Sequence, residues 1–158
     1  MTNIISKTFK AGLLVGTLDI SAAFLQSFIK TGKGPAGVLK YIASGAFGNA
    51  AFSGGAGMII CGLLFHYIIA IFFTFFFFLI FAKLYSALKS KFLIALLYGV
   101  FMWAFMKFIV VPLSATPKFP FDWTNAVIGI AILIICISLP LSFIAYRYEN
   151  LTDKKINN

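Results

Sequence analysis

Apolar residues run through this chain in four long blocks, at about 8–29, 57–82, 91–113 and 124–146, separated by short polar stretches. Each block holds about 20 residues or more, enough at 1.5 Å per residue to cross about 30 Å of hydrocarbon as a helix. The pattern predicts four membrane-spanning helices. The second block, GMIICGLLFHYIIAIFFTFFFFLIFA, is apolar on every face and carries the run Phe72, Phe73, Thr74, Phe75, Phe76, Phe77, Phe78. A helix with no polar face suits lipid and would not be tolerated in water. Trp123, Tyr85, Tyr146 and Tyr148 fall at the predicted span ends, where amphipathic rings favour the headgroup region.

The stretch 35–56, PAGVLKYIASGAFGNAAFSGGA, follows a different pattern. Its Gly, Ala and Ser content, with Lys40 and Asn49, makes it a marginal fifth span on hydrophobicity. It reads better as a short helix that lies at the interface or re-enters, starting at Pro35 in the first turn and breaking at Gly54 and Gly55. The expected fold is thus all-α: one integral membrane four-helix bundle over residues 1–158, with a Gly-rich interfacial or re-entrant segment.

Composition agrees with this reading. Of 158 residues, 61% are hydrophobic and 11% charged, and the mean hydropathy is +1.01. A soluble domain averages about 25% charged residues. Four spans leave no room for a separate soluble domain, and with it most enzyme classes fall away. Lys7 and Lys10 before an apolar run resemble a signal peptide, but Asp19 interrupts the run and no A-x-A site follows, so the segment reads as a retained anchor. Of thirteen basic residues, Lys7, Lys10, Lys83, Lys89, Lys91, Arg147, Lys154 and Lys155 share one side in the four-span reading, against Lys30, Lys33, Lys40 and Lys118 on the other. The positive-inside rule then puts both termini in the cytoplasm. Orientation and anionic lipid account for the net charge of +9, and no nucleic-acid partner is implied.

Candidate chemistry is confined to a few polar residues inside the spans. Residues 12, 16, 19, 23, 26 and 30 read Gly, Gly, Asp, Ala, Gln, Lys in steps of four and three, which places them on one helical face turned into the bundle. Gly12 and Gly16 form a G-x-x-x-G pair suited to close helix packing, and Gly45 and Gly48 are further packing candidates. Asp19 costs about 2.5–3.5 kcal/mol at mid-membrane unless paired, protonated or wetted. His66, the sole histidine, stands about 14 Å from the outer boundary of span two, while Asp19 stands roughly 16 Å from the inner boundary of span one. In antiparallel neighbours these depths nearly coincide. Lys107, about 9 Å from the outer boundary of span three, can reach toward the pair or snorkel outward. Asp19 with His66, and with Lys107, Gln26 and Asn49, forms a candidate polar core. It reads either as a lock between helices or as a proton or ion relay. Pro140 removes the hydrogen bond to the Cys136 carbonyl and predicts a kink. Cys61 and Cys136 lie inside spans without C-x-x-C spacing and read as packing residues.

Catalytic patterns are absent. TGKGPAG at 31–37 lacks the spacing and the preceding strand of a phosphate loop. There is no H-E-x-x-H, no carboxylate pair and no nucleophile beside a base, so neither an enzyme, a metal site nor a cofactor is expected.

GTLDI (16–20), TGKGP (31–35), VLKYIASGAFG (38–48), AFSGG (51–55), GLLFHYIIA (62–70), IVVPLSATP (109–117) and AVIGIAIL (126–133) resemble a family of small, uncharacterised bacterial inner-membrane proteins. The resemblance covers nearly the whole chain and implies a plasma-membrane location and a multi-pass helical fold, with no established activity. Two functions remain from the sequence. One is the handling of a proton, ion or small solute through the polar core, which in so narrow a bundle calls for a dimer or larger assembly. The other is a structural or assembly role, binding other membrane proteins through Gly and Ala faces.

Overall fold

A computed structural model describes residues 2–32, 34–118 and 120–156 of the chain; Lys33, one of the basic residues used for orientation, lies outside the described residues. Among the described residues, four helices are long and apolar enough to cross a membrane: Ile5–Thr31, Ala56–Leu88, Lys91–Leu113 and Trp123–Tyr148. The first belongs to α1 (Thr2–Thr31) and the second is α4 (Ala56–Leu88). Between them lie α2 (Pro35–Phe47) and the single turn α3 (Ala50–Ser53). Among the described residues there is no strand, and the chain is a multi-pass, all-α membrane bundle.

Each span is built from local signals. The hairpin between the second and third spans needs only two residues. Lys89 adopts the left-handed conformation (φ 50°) and caps α4 through its N–H to Tyr85 O, and Ser90 then caps α5 (Lys91–Phe105) by accepting from the Leu93 N–H. The third span continues through a π-helical stretch, Met106–Val110, into α6 (Val111–Leu113). The fourth runs from α7 (Trp123–Ile132), capped by Asp122, through a second π-helical stretch, Leu133–Ser138, into α8 (Leu139–Ile156).

Both π stretches end two residues before a proline, Pro112 and Pro140. A proline in a helix has no N–H to donate and its ring presses on the carbonyl four residues back. The wider turn, seen in the bonds from Val111 N to Met106 O and from Leu139 N to Ile134 O, opens the helix ahead of the ring. The kink expected at Pro140 is therefore taken up as a widened turn.

The phenylalanine run of α4 divides by face. Phe73, Phe77 and Phe81 are buried against Val15, Ile94, Tyr98 and Leu141, whereas Phe72, Phe75 and Leu79 are exposed, as a lipid-facing surface requires. Tyr98 donates a 2.7 Å hydrogen bond to the Phe73 carbonyl across this core.

Glycine sets the closest approaches. Gly12 and Gly16 of α1 pack on α4, where a Cβ would stand 3.0 Å from Ile71 Cα and 3.1 Å from Ala70 Cβ respectively. Gly62 is tighter still, lying against the backbone of Leu39 in α2, and Gly99 lies against Ile134 of the second π stretch. α2 has 13 residues, about 20 Å of helix at 1.5 Å per residue, too short to span. It crosses α4 at Gly62, stacks Phe47 on Phe65, and receives the Ala115 N–H on its Gly45 carbonyl at 3.0 Å. It therefore lies over the end of the bundle where the first and third spans finish, called here the far end.

Candidate functional site

Asp19 and His66 meet at the contact between α1 and α4. The two glycines bring the helices close enough for the His66 ring to reach across, and Nε2 lies 2.8 Å from the Gly16 carbonyl oxygen. A carbonyl only accepts, so Nε2 carries the proton and donates, leaving Nδ1 as the basic nitrogen of the neutral ring. His66 is buried, with the Tyr67 ring edge-on beside it. Tyr67 and Thr17 share a hydrogen bond of 2.9 Å, a second polar tie between the same helices.

Asp19 lies one turn beyond Gly16 and is half-buried. Its carboxylate lies near the His66 ring, yet it has neither a hydrogen bond nor an ion pair among the described residues. Cys136 of the fourth span is also near enough to feel the Asp19 charge. Cys136 sits in the second π stretch, and its carbonyl is the one that Pro140 deprives of the usual donor. The centre thus joins three elements, α1, α4 and the π stretch of the fourth span. The packing role read for Cys136 left this juxtaposition unseen.

The other candidates fall elsewhere. Gln26, two turns beyond Asp19, is half-buried and has no hydrogen bond among the described residues. Asn49 is exposed in the turn between α2 and α3 and its side chain does not cap α3. Lys107 lies in the first π stretch, its Nζ 5.7 Å from the centre of the Phe121 ring, on a groove near the start of the fourth span. Of its two readings from sequence, the geometry is the outward one. Gly45 and Gly48 face the segment Ser114–Thr116 rather than another long helix, and Gly48 has φ +56°, a conformation that glycine adopts freely.

Two features went unread in the sequence, one polar and one a close helix contact. Lys30 donates to Asn125 Oδ1, and Asn125 donates 2.6 Å to Asp122 Oδ2, tying the end of α1 to the start of α7. Gly62 stands four residues before His66 and so on the same face, a small-residue signal that would have marked the α2 contact. Among the described residues no cluster of three or more His, Cys, Asp or Glu side chains could hold a metal. Neither a protein-family model, nor a curated protein, nor a solved structure matches this chain, so the reading of the site rests on its own geometry.

Proposed function

We propose that this chain is a small bacterial plasma-membrane protein, with both termini cytoplasmic, that handles protons or small cations through Asp19 and His66. The observation that carries the reading is the open geometry of the pair. A pure helix lock would close the two side chains on each other. Here the His66 Nε2–H is taken by the Gly16 carbonyl, and the Asp19 oxygens have no donor among the described residues. An unbonded carboxylate inside a span is expensive unless it takes up a proton, a cation or water. Beside it, Nδ1 of His66 has no hydrogen bond among the described residues and keeps the lone pair that can take a proton or a cation. Both groups can then change protonation without breaking the contact that holds α1 to α4.

The alternative, an assembly protein that binds other helices through Gly and Ala faces, has less support. Gly12, Gly16, Gly62 and Gly99 all use their close approaches within the chain.

Proton flux into liposomes containing the purified chain tests the proposal. Asp19→Asn removes the titratable charge and keeps the shape. It should fold with little change in stability, because Asp19 makes no hydrogen bond among the described residues for the amide to lose, and it should lose its flux. His66→Gln removes the Nδ1 lone pair and should lower the flux. Flux equal to wild type in Asp19→Asn liposomes would overturn the role.

A further inference from the structure

We propose that the groove between the third and fourth spans at the far end is a binding site for a zwitterionic phospholipid headgroup, with the phosphate on Lys107 and a primary ammonium on Asp122. The groove has a volume of about 180 Å³, room for more than a single water, and is lined by Trp103, Lys107, Phe121, Asp122, Asn125 and Ala126. It is separate from the Asp19 centre and independent of the function proposed there.

Lys107 supplies an unpaired cation. It is half-buried in a span and has neither a hydrogen bond nor an ion pair among the described residues; only the Phe121 ring stands beside it. Asp122 lines the same groove but does not pair with it. Asp122 Oδ1 accepts from the Thr124 N–H at 2.8 Å and Oδ2 accepts from Asn125, so the carboxylate is held in place as a helix cap. Each carboxylate oxygen keeps capacity for a further donor. One fixed anion and one unpaired cation thus face a common space without neutralising each other.

The surroundings set the depth. Phe121 packs edge-on against Trp123 with ring centres 4.9 Å apart, and both are exposed, as is Leu113 at the end of the third span. Exposed aromatic rings at span ends mark the headgroup level, where phospholipid is the most concentrated ligand. A phosphate accepts hydrogen bonds from the Lys107 ammonium, and a primary ammonium two carbons away donates to Asp122. An ethanolamine headgroup supplies both. A choline headgroup has no N–H for the carboxylate, and a glycerol headgroup offers Asp122 only neutral hydroxyls, weaker donors than an ammonium.

The test uses the full chain in detergent with Trp123→Phe, which leaves Trp103 as the sole tryptophan because the sequence has two. Trp103 fluorescence is titrated with short-chain phosphatidylethanolamine, phosphatidylcholine, phosphatidylglycerol and inorganic phosphate. Saturable binding tightest for the ethanolamine lipid is expected. Lys107→Gln should weaken it on the order of tenfold, as loss of a hydrogen bond between charged groups predicts, and Lys107→Arg should restore it. Asp122→Asn keeps a good cap and should abolish the preference for ethanolamine over choline. Equal binding of the ethanolamine and choline lipids by the Trp123→Phe chain, unchanged binding in Lys107→Gln, or no saturable binding would overturn the proposal. Inorganic phosphate that displaces lipid at equal concentration would assign the site to free phosphate and overturn it too.

Discussion

The Gly62 contact sets up a direct test of how α2 is held. A Cβ at position 62 would land on the Leu39 carbonyl oxygen and stand 2.7 Å from the carbonyl carbon and 3.1 Å from Cα. All three atoms are backbone, so no side-chain rotation makes room, and α2 must retreat on the order of 1 Å to restore ordinary contact. Overpacking of this kind costs about 1–3 kcal/mol, and the better helix propensity of alanine returns at most about 1 kcal/mol. Gly62→Ala should therefore destabilise the protein, by up to about 2 kcal/mol once the full propensity gain is subtracted. Gly57 in the same helix is the control, since nothing lies within 4 Å of its Cβ position. Gly57→Ala should be neutral or stabilising, by up to about 1 kcal/mol. Thermal unfolding of both variants in one detergent, followed by circular dichroism, gives the comparison. If Gly62→Ala unfolds at or above the wild-type temperature, the α2–α4 approach is not as close as described and the reasoning fails.

Three further outcomes follow from the same structure. Tyr98→Phe removes the buried hydrogen bond to the Phe73 carbonyl and should lower stability by about 0.5–1.5 kcal/mol in denaturant titration, leaving proton flux unchanged. Pro140→Ala restores the missing N–H and should return the segment 133–138 toward α-helical spacing, rotating Cys136 relative to Asp19. The check is the yield of a disulfide between Cys136 and Cys introduced by Asp19→Cys, with and without the proline; an unchanged yield would refute the link between Pro140 and the widened turn. Reporter fusions after residues 87 and 158 should give cytoplasmic signals and those after residues 34 and 118 external ones, from the distribution of lysines; a cytoplasmic signal at 118 would contradict the orientation.

The spans were readable because hydropathy reports burial in lipid. The third, expected at 91–113, is Lys91–Leu113. The second was expected to end at residue 82 and runs to Leu88, since helical hydrogen bonding continues past Lys83 until Lys89 turns left-handed. Hydropathy registers the depth of a residue and not the geometry of its backbone. The same distinction explains the site. Counting 1.5 Å per residue was enough to bring Asp19 and His66 to one level, but the ring nitrogen binds the Gly16 carbonyl, three residues from the acid. Which of two acceptors on neighbouring turns a ring meets depends on helix rotation, which depth alone does not fix. The π stretches were hidden for a related reason: Pro140 was visible, but whether a helix bends or widens before it depends on the packing of its neighbours.

The bond from the Ala115 N–H to the Gly45 carbonyl joins residues 70 positions apart. During synthesis at about 5–20 residues per second, α2 emerges some 4–14 s before its partner segment. Its docking site on α4 arrives earlier, so α2 rests on the first two spans while the third is still being inserted. The far end of the molecule is thus sealed only when residues 114–116 arrive. A truncation that stops after the second span would leave α2 half-anchored, with its Gly45 carbonyl open to water.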